Sequence, residues 1–415
     1  MRSGQRVALL GQHFGWGGGV DFLRHVADGL VAGRRRHGFS VHVLLPIQSR
    51  IKSCVDLLRI GKRSLVGSIA RRRPWVARPQ PAFDASRAAA FAAAGDAGLE
   101  VVHHDATPNG LLRCLKRIGA TVALPTMATL GRNFPVPWVG YIYDFQHRHL
   151  PENFGADDCY KREISFAGIL KDAPAVIVNS RAVKDDIARF YPWSSPERVV
   201  ALPFAPHAGA GWLEASSRPI RDIYSLPARY FLVSNQFWIH KDHMTAIRAL
   251  ELLGPESDCG LVCTGATDDY RRPGHFAEIM RSVDRRGLTG RIRMLGHIPK
   301  RDQIEVMKGA LAVVQPTLFE GGPGGGCVYD AVALGVPVLL SDIPVNREAT
   351  GDWIRFFPPG DAAALALLMA DVSQKAPARP AAAALEARAA TNLARLGDAL
   401  LEAIDRALAA SNRPG

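Results

Sequence analysis

The stretch that decides the fold of this chain is Phe319-Glu320-Gly321-Gly322-Pro323-Gly324-Gly325-Gly326-Cys327-Val328-Tyr329-Asp330-Ala331. An apolar run at 310–314, which predicts a buried strand, precedes it, and a segment with helical spacing follows. Glycines let backbone N–H groups approach an anion closely, and a helix N-terminus favours negative charge. Glu320 cannot bind phosphate, but its carboxylate can accept hydrogen bonds from hydroxyls beside one. A diphosphate flanked by hydroxyls, as in a nucleotide sugar, satisfies both features.

The composition is that of a globular protein. The 415 residues are enough for two domains with full cores, and 47% of them are apolar and 22% charged. No apolar run approaches the roughly 20 residues that a bilayer span needs. The apolar run at 7–11 is too short for a secretory signal. We therefore expect a cytoplasmic protein whose six scattered cysteines are reduced and structural.

The net charge of +12 is concentrated in one insertion at about 48–80. Between residues 50 and 78, basic side chains far outnumber the single acid, Asp56, and apolar side chains are interleaved with them. Such a segment can lie on an anionic membrane surface or contact a lipid-linked acceptor. It can equally be a solvated surface insertion. We do not expect nucleic acid as a partner, because neither an aromatic platform nor a recognised nucleic-acid motif accompanies the charge.

Strand-like and helix-like stretches alternate in two series along the chain. This alternation predicts an α/β protein with two Rossmann-like, doubly wound parallel sheets that face a central cleft. We predict a first domain at 1–205, a linker at 206–226, a second domain at 227–375, and a helical tail at 376–415 that packs back on the domains.

Residues 230–348 resemble the nucleotide-sugar-binding domain of the retaining GT-B glycosyltransferases of glycosyltransferase family four, also called glycosyl transferases group 1. The usual pattern of that family is an acid, a glycine loop, a second acid eight positions on, alanine and Gly-x-Pro. This chain has Glu320, the loop, Asp330-Ala331 and Gly335-Val336-Pro337. Its second acid comes ten positions after the first, so the loop resembles the sub-branch with an extended Gly-Gly-Pro-Gly-Gly-Gly turn.

The resemblance implies roles for the loop residues. Glu320 would contact hydroxyls of the transferred sugar and steady charge at its anomeric carbon, and Asp330 would hold the ribose hydroxyls. The backbone amides of Gly324, Gly325 and Gly326 would face the donor diphosphate at the start of the helix, and Cys327 beside them would also belong to the donor site. Alternatively, Asp330 is an acid that the helix dipole stabilises, and Glu320 is a solvent-facing loop acid.

A second motif lies at 233–243, where a strand ends and a helix begins. Family members often place arginine and lysine five positions apart here, and both contact the leaving diphosphate. In this chain Gln236 takes the first of these positions and Lys241 the second, so Lys241 carries more of that charge than usual, and Asn235 is a further donor-binding candidate. The alternative is a surface lysine at a helix start. We expect His240 and His243 to bind no metal, because carboxylates do not cluster with them.

A third motif, at 141–152, leaves a predicted strand and points at the cleft. By resemblance, Tyr143 replaces the acceptor-side histidine of the family, and Asp144 and His147 act near the sugar. A histidine satisfied locally in a loop is the alternative for His147. The resemblance implies two further sites. The glycine turn at Gly17, Gly18 and Gly19 would lie over the phosphates of the donor, and backbone atoms of Gly296 and His297 would hold its nucleotide base.

The resemblance implies a metal-independent retaining glycosyltransferase without a cofactor. It would move a hexose-type sugar from a nucleotide-diphosphate donor to a glycan or lipid-linked acceptor in bacterial surface polysaccharide biosynthesis. Such an enzyme would be cytoplasmic or peripheral on the inner face of the cell membrane. The alternatives are a GT-B sugar-nucleotide epimerase and a catalytically silent protein that binds nucleotide sugars or acts as a scaffold.

Overall fold

The computed structural model describes residues 4–15, 17–47, 91, 99–215, 218–375 and 377–411. The predicted membrane or acceptor contact at 50–78, and the rest of the basic insertion, lie outside the described residues. The described part of the chain contains two parallel sheets, one of seven strands and one of six. The predicted α/β class with two doubly wound sheets is therefore confirmed.

The first sheet has the strand order β3-β2-β1-β4-β5-β6-β7. Its strands are β1 (Arg6–Leu10), β2 (Ser40–Ile47), β3 (Leu99–Asp105), β4 (Val122–Thr126), β5 (Trp138–Ile142), β6 (Ala175–Val178) and β7 (Val199–Ala201). The helices that go with it are α1 (Gly17–His37), α2 (Pro108–Ile118), α3 (Gln146–His149), α4 (Ala156–Asp172) and α5 (Arg181–Phe190).

Strand β1 shows why these apolar runs form a central strand. Successive side chains of a strand point to opposite faces of the sheet. Val7 and Leu9 belong to a core cluster that includes α1, whereas Ala8 and Leu10 belong to a second cluster that includes α2 and α4. Because helices cover both faces, the strand is apolar along its whole buried length instead of alternating.

The second sheet has the strand order β10-β9-β8-β11-β12-β13. Its strands are β8 (Arg229–Ser234), β9 (Cys259–Thr264), β10 (Ile292–Gly296), β11 (Val313–Gln315), β12 (Val338–Ser341) and β13 (Ile354–Phe357). Its helices are α6 (Ile220–Ile223), α7 (His243–Leu252), α8 (His275–Arg285), α9 (Lys300–Gly309), α10 (Gly325–Ala333) and α11 (Ala362–Gln374). The strand order reverses between β8 and β11, and ligands of doubly wound sheets bind in the crevice at such a point.

One local prediction is wrong, and two short strands were missed. The predicted glycine turn at 17–19 is wrong, because α1 already begins at Gly17, so Gly18 and Gly19 lie in its first turn. Strands β7 and β13 were not predicted. Both lie at the edge of a sheet and are short, so they lack the long apolar run that marks a central strand.

The last helix, α12 (Ala382–Ser411), crosses from the second domain back to the first and packs along α1. Glycines permit the close approach of the two helices. A Cβ at Gly397 would lie 2.7 Å from the carbonyl oxygen of Gly29, and a Cβ at Gly29 would lie 2.7 Å from Leu396 Cγ. No helix among the described residues combines the length and the apolar composition needed to cross a membrane.

Several polar contacts join the domains across the cleft, and two of them lie at the N-terminus of α5. The hydroxyl of Ser180 donates a hydrogen bond of 2.9 Å to the carbonyl oxygen of Gly321. The carboxylate of Glu348 accepts hydrogen bonds from the backbone N–H groups of Arg181 (2.9 Å) and Ala182 (2.8 Å). Glu348 thereby caps the N-terminus of α5 from the other domain, where the helix dipole favours a negative charge.

Candidate active site

Glu320 and Lys241 meet at the carboxyl ends of two neighbouring strands. Glu320 lies in the loop that follows β11, and Lys241 ends the short turn Ile239–Lys241 that follows β8. The Nζ atom of Lys241 is 2.5 Å from Oε1 of Glu320, and their side chains are only 9% and 10% exposed. The fold thus places a nearly buried ion pair at the point where the strand order of the second sheet reverses.

A side-chain amide holds the carboxylate of this pair. Gln315, the last residue of β11, is fully buried, and its Nε2 donates to Glu320 Oε1 (2.9 Å) and to the carbonyl oxygen of Gly324 (2.7 Å). The amide of Asn235 donates in turn to the side-chain oxygen of Gln315. The sequence prediction missed Gln315. A polar residue at the end of an apolar strand, directly before the glycine loop, was the signal for it.

The glycine loop has a backbone that other residues would not tolerate. Gly324 and Gly325 have φ angles of +65° and +67°. A Cβ at Gly324 would lie 2.3 Å from Val328 Cγ2, and one at Gly325 would lie 3.2 Å from Glu320 Oε2. A Cβ at Gly326 would meet nothing within 4 Å. The chain therefore passes directly over the Glu320 carboxylate where α10 begins, and open space lies at Gly326.

Two of the three predicted anion-binding amides already have partners in the protein. The N–H of Gly324 donates to Oδ1 of Asn346 (2.7 Å), and the N–H of Gly325 donates to the carbonyl oxygen of Gly322 (3.2 Å). Cys327 is buried, with its thiol 3.9 Å from the carbonyl oxygen of Gly324, and burial raises its pKa to about 12. A thiol in that state is a packing group and not a nucleophile at neutral pH.

Asp330, the predicted ribose ligand, is engaged in an ion pair. Its Oδ2 lies 2.6 Å from Nζ of Lys300, which is also 3.1 Å from Oδ2 of Asp21 in α1. Burial opposes the charge of Lys300, but the two carboxylates outweigh burial and raise the pKa of that ammonium group. Lys300 therefore stays charged and links the second domain to the first at the predicted ribose position.

The third motif reaches the glycine loop through its backbone. A Cβ at Gly321 would lie 2.2 Å from the carbonyl oxygen of Tyr143 and 2.8 Å from Cβ of Asp144, so only glycine allows this contact. The carboxylate of Asp144 accepts hydrogen bonds from the N–H of Gln146 (2.9 Å) and from Arg162 Nη1 (3.1 Å). Asp144 thus lies at the cleft and stabilises the turn that begins α3.

His147 is held inside the first domain. Its Nε2 lies 2.7 Å from Oε1 of Glu163, and the rings of Phe145, Phe154 and Phe166 surround it. Burial lowers the pKa of His147. The hydroxyl of Tyr191 donates to the other oxygen of Glu163 (2.6 Å). Among the described residues, the polar partner of the His147 imidazole is Glu163, and no hydrogen bond or ion pair joins it to Glu320 or Lys241.

The remaining predicted residues lie around the same crevice. Gln236 is half-buried, two residues after the end of β8. The carbonyl oxygen of Gly296 accepts hydrogen bonds from the N–H of Gly265 (2.8 Å) and the hydroxyl of Thr264 (2.9 Å), while His297 is exposed. In the first turn of α1, Gly18 is exposed and Gly19 is buried.

His240 and His243 are both buried next to Lys241. Burial is the main cause that lowers their pKa values, to about 2 for His240 and about 3 for His243. His243 stacks on Phe237 with ring centroids 4.2 Å apart. Within the described ranges, no group of three or more histidine, cysteine, aspartate or glutamate side chains is placed to hold a metal ion.

The neutral His243 makes folding stability depend on pH. An unfolded histidine has a pKa of about 6.5, so between that pH and about 3 the unfolded chain binds a proton that the folded chain does not. Because the unfolded state binds more protons, the free energy of unfolding falls as the pH falls below about 6.5, by up to about 1.4 kcal/mol per pH unit.

His243→Phe should remove this contribution to the pH dependence of the free energy of unfolding. Urea unfolding at pH 7.5, 6.5 and 5.5 measures it, with His37→Phe on the surface as the control. An identical slope for wild type and His243→Phe contradicts the assignment.

Arg271, which the sequence prediction also missed, spans the cleft. Its Nη1 donates to Oε1 of Gln146 in the first domain (3.1 Å), and its Nε donates to Oδ1 of Asp269 (3.1 Å). The guanidinium carbon lies 4.6 Å from the centroid of the Trp238 ring and 5.2 Å from that of Phe154. A fixed cation therefore lies near Lys241 in three dimensions, although no sequence motif connects them.

Residues 221–389 match the model of the family Glycosyl transferases group 1. No protein with a curated function matches the chain significantly. Among solved structures, sucrose-phosphate synthase from Thermosynechococcus elongatus is 16% identical with a TM-score of 0.60, covering 98% of this chain and 97% of that one.

Two further structures are similar over their whole length. A glycosyltransferase from Rickettsia africae is 11% identical with a TM-score of 0.61, covering 99% of this chain and 100% of that one. HepE from Anabaena, in complex with UDP and glucose, is 14% identical with a TM-score of 0.56, covering 97% of each chain. At these identities the similarity establishes the fold, and that fold is the predicted GT-B arrangement.

Proposed function

We propose that this chain, with its Glycosyl transferases group 1 domain, is a retaining glycosyltransferase. It transfers a hexose-type sugar from a nucleotide-diphosphate donor to a glycan or lipid-linked acceptor. One observation carries the proposal: the nearly buried Glu320–Lys241 pair lies under a glycine loop at the carboxyl ends of β8 and β11. A fixed cation and a carboxylate side by side match the two charges that separate when a sugar leaves a diphosphate.

The donor diphosphate would lie between Lys241 and the start of α10. Gly326 borders open space there, and the N-terminus of a helix attracts phosphate. When the diphosphate pairs with the ammonium group of Lys241, the carboxylate of Glu320 is released from that ion pair and can accept hydrogen bonds from sugar hydroxyls. The amides of Gly324 and Gly325 keep their protein partners and shape the loop. Since HepE binds UDP and glucose, UDP-glucose is the first donor to test.

The transfer itself needs no protein nucleophile in this proposal. The acceptor hydroxyl oxygen attacks the anomeric carbon from the face that the diphosphate leaves, the bond from that carbon to the diphosphate breaks, and the hydroxyl proton passes to a departing phosphate oxygen. Positive charge develops on the sugar ring, and the fixed carboxylate of Glu320 stabilises it. Neither a metal nor a cofactor takes part.

Contacts between the domains would keep water away from the donor. The Ser180–Gly321 and Glu348–α5 contacts close the cleft around Glu320. Closed active sites of this kind prevent hydrolysis of a reactive donor. Asp144 and His147 act as positioning residues here: Asp144 supports the turn against Gly321, and His147 holds that turn in place through Glu163.

The cellular setting is proposed from composition and resemblance. The basic and apolar composition of residues 50–78 suits an anionic membrane surface. We place the enzyme in the cytoplasm, peripheral on the inner face of the membrane, in bacterial surface polysaccharide biosynthesis.

Binding and turnover test the proposal in sequence. Thermal unfolding is recorded with UDP-glucose, UDP-galactose, UDP-N-acetylglucosamine, GDP-mannose and dTDP-rhamnose. A true donor at 100 times its Kd should add about 2.7 kcal/mol of stability. NMR then follows the stabilising donor with pooled methyl glycosides and lipid-linked glycans, and we expect a product with the anomeric configuration of the donor.

Three outcomes would contradict the proposal. If none of the five nucleotide sugars stabilises the protein, the proposed donor site is contradicted. Conversion of a donor to its epimer without any acceptor would indicate an epimerase. Binding of a donor with neither transfer nor slow hydrolysis would indicate a silent binding protein.

A further inference from the structure

The ammonium group of Lys300 contacts three separate parts of the chain. Lys300 is the first residue of α9 in the second domain. Its Nζ lies 2.6 Å from Oδ2 of Asp330 in α10 and 3.1 Å from Oδ2 of Asp21 in α1 of the first domain. It also lies 5.4 Å from the centroid of the Trp212 ring, in the linker between β7 and β8. We call Asp21, Lys300 and Asp330 the Lys300 bridge.

The two ion pairs of the Lys300 bridge differ in their exposure to solvent. The side chain of Asp330 is 11% exposed, that of Lys300 is 35% exposed, and that of Asp21 is 54% exposed. The pair within the second domain is therefore sheltered, whereas the pair between the domains is open to water. Because an exposed ion pair contributes little free energy, it can break and form again. Asp330 thus orients the ammonium group, and Asp21 is the partner that can separate from it.

One face of α1 runs along the boundary between the domains. Asp21, His25 and Asp28 are spaced so that they share this face. Oδ2 of Asp28 lies 3.1 Å from Nε2 of His207 in the linker. The ring of His25 meets the ring of Tyr329 of α10 edge-on, with the centroids 5.5 Å apart. The face therefore begins at the Lys300 bridge and ends at the linker.

This arrangement distinguishes a fixed end of α1 from a free end. Two domains that rotate about a linker move least at the linker and most far from it. The Asp28–His207 contact lies at the linker and can persist during such a rotation. Asp21 lies seven residues before Asp28, which corresponds to about 10 Å along a helix. Opening of the cleft would therefore break the Asp21–Lys300 pair first.

The cation decides whether this end of the cleft attracts or repels. Oδ2 atoms of Asp21 and Asp330, which belong to opposite domains, both lie within 3.1 Å of the same Nζ atom. Two carboxylates this close disfavour each other's charge unless a cation lies between them. Lys300 is therefore required for the two domains to approach at this point.

We propose that Lys300 and Asp21 are positioning residues that hold the two domains closed over the donor site, with the Asp28–His207 contact at the linker as the pivot. The inference rests on the proposed function for its effect on turnover, because closure matters there for keeping water from the donor. The closure itself is a property of the free protein and is measured without a substrate.

Hydrogen–deuterium exchange of two backbone amides reports the separation of the domains. The N–H groups of Arg181 and Ala182 begin α5 in the first domain, and amides at a helix start have no acceptor within their own helix. They donate to the carboxylate of Glu348 in the second domain, so opening of the cleft exposes them. The N–H of Gly110 is the matched control, because it donates to the Thr107 hydroxyl of its own domain at the start of α2.

Asp21→Asn is the primary variant, since its side chain is exposed and the buried Lys300–Asp330 pair stays intact. It should raise the exchange rate at Arg181 and Ala182 about threefold, as expected for the loss of one partly exposed ion pair, and leave Gly110 unchanged. Mass spectrometry of fragmented peptides from the full chain measures these rates.

Variants of Lys300 separate the effect of charge from a folding defect. Lys300→Met should raise the exchange at the two reporter amides further, because it leaves Asp21 facing Asp330. Lys300→Arg keeps a cation and should exchange like wild type, as should Lys375→Met, which alters an exposed lysine of the same domain. The double variant of Asp21→Asn with Lys300→Met should exchange no faster than Lys300→Met, because Asp21 then has no cation left to lose.

Three results would overturn the inference. The first is unchanged exchange at Arg181 and Ala182 in both Asp21→Asn and Lys300→Met. The second is an equal rise at Gly110, which would indicate general destabilisation of the fold. The third is an additive effect of the two substitutions in the double variant, which would show that the two side chains do not act as a pair.

Turnover gives a second measurement once a donor is known. Asp21→Asn should raise hydrolysis of the donor relative to transfer to the acceptor, because a more open cleft admits water. Equal partition of the donor in wild type and Asp21→Asn would count against the positioning role. A chain that transfers no sugar can still show the exchange effect, whereas a working transferase with unchanged exchange would overturn this inference alone.

Discussion

Glu320→Gln should lower kcat for sugar transfer by about 10²–10³-fold, the loss typical when one preorganised electrostatic group is removed from an active site. The glutamine keeps the shape of the side chain, and its oxygen can still accept from Lys241 and Gln315. What disappears is the negative charge beside the anomeric carbon. Initial rates of nucleoside-diphosphate release, at saturating donor and acceptor, measure the effect.

The matched control for this experiment is Glu256→Gln. Glu256 is an exposed carboxylate in the same domain, so its variant should turn over like wild type. Donor binding by Glu320→Gln, followed by thermal shift, should persist, because the diphosphate contacts remain. A kcat within about twofold of wild type would show that Glu320 does not stabilise the transition state, and the proposed mechanism would be lost.

Lys241→Met should have two large effects, one on activity and one on stability. Removing the cation that faces the leaving diphosphate should lower kcat/KM by about 10²–10³-fold or more. It also leaves the carboxylate of Glu320 nearly buried and unpaired, and breaking a buried pair in this way typically costs about 3–5 kcal/mol. Steady-state kinetics and urea unfolding measure the two effects separately.

Two companion variants assign these effects to charge. The double variant Lys241→Met with Glu320→Gln removes both charges, so it should recover most of the lost stability but none of the activity. Lys241→Arg keeps a cation at the site and should retain more activity than Lys241→Met. Equal activity of wild type and Lys241→Met would exclude a role for this cation in stabilising the departing diphosphate. An unchanged unfolding free energy would mean that Glu320 finds water or another partner.

Local patterns in the chain predicted the parts of the site that depend on the backbone. The apolar run before Phe319 and the glycines after Glu320 indicated a strand, an anion-compatible loop and a helix, and the structure has β11, the loop and α10 in that order. A glycine loop can be predicted from the sequence because the φ freedom and the missing Cβ of glycine are properties of the residue itself. The two alternating series likewise predicted the two parallel sheets.

Distances between side chains far apart in sequence could not be read in that way. Lys241 and Glu320 are 79 positions apart, and Lys300 pairs with both Asp330 and Asp21 only because α9, α10 and α1 come together at the cleft. His147 illustrates the reverse case: its motif pointed to the cleft, but packing against three phenylalanine rings and Glu163 holds it inside the first domain.

The sequence alone therefore predicted the fold class, the glycine loop and the two charged residues, Glu320 and Lys241, that the structure brings together, since periodicity and backbone freedom are local. Tertiary structure alone decided which charges are paired, which imidazoles are buried and neutral, and that Lys300 lies between carboxylates of the two domains. The physical reason is that burial and electrostatics depend on groups brought together by long-range packing, and the same aspartate or histidine has a different role in each environment.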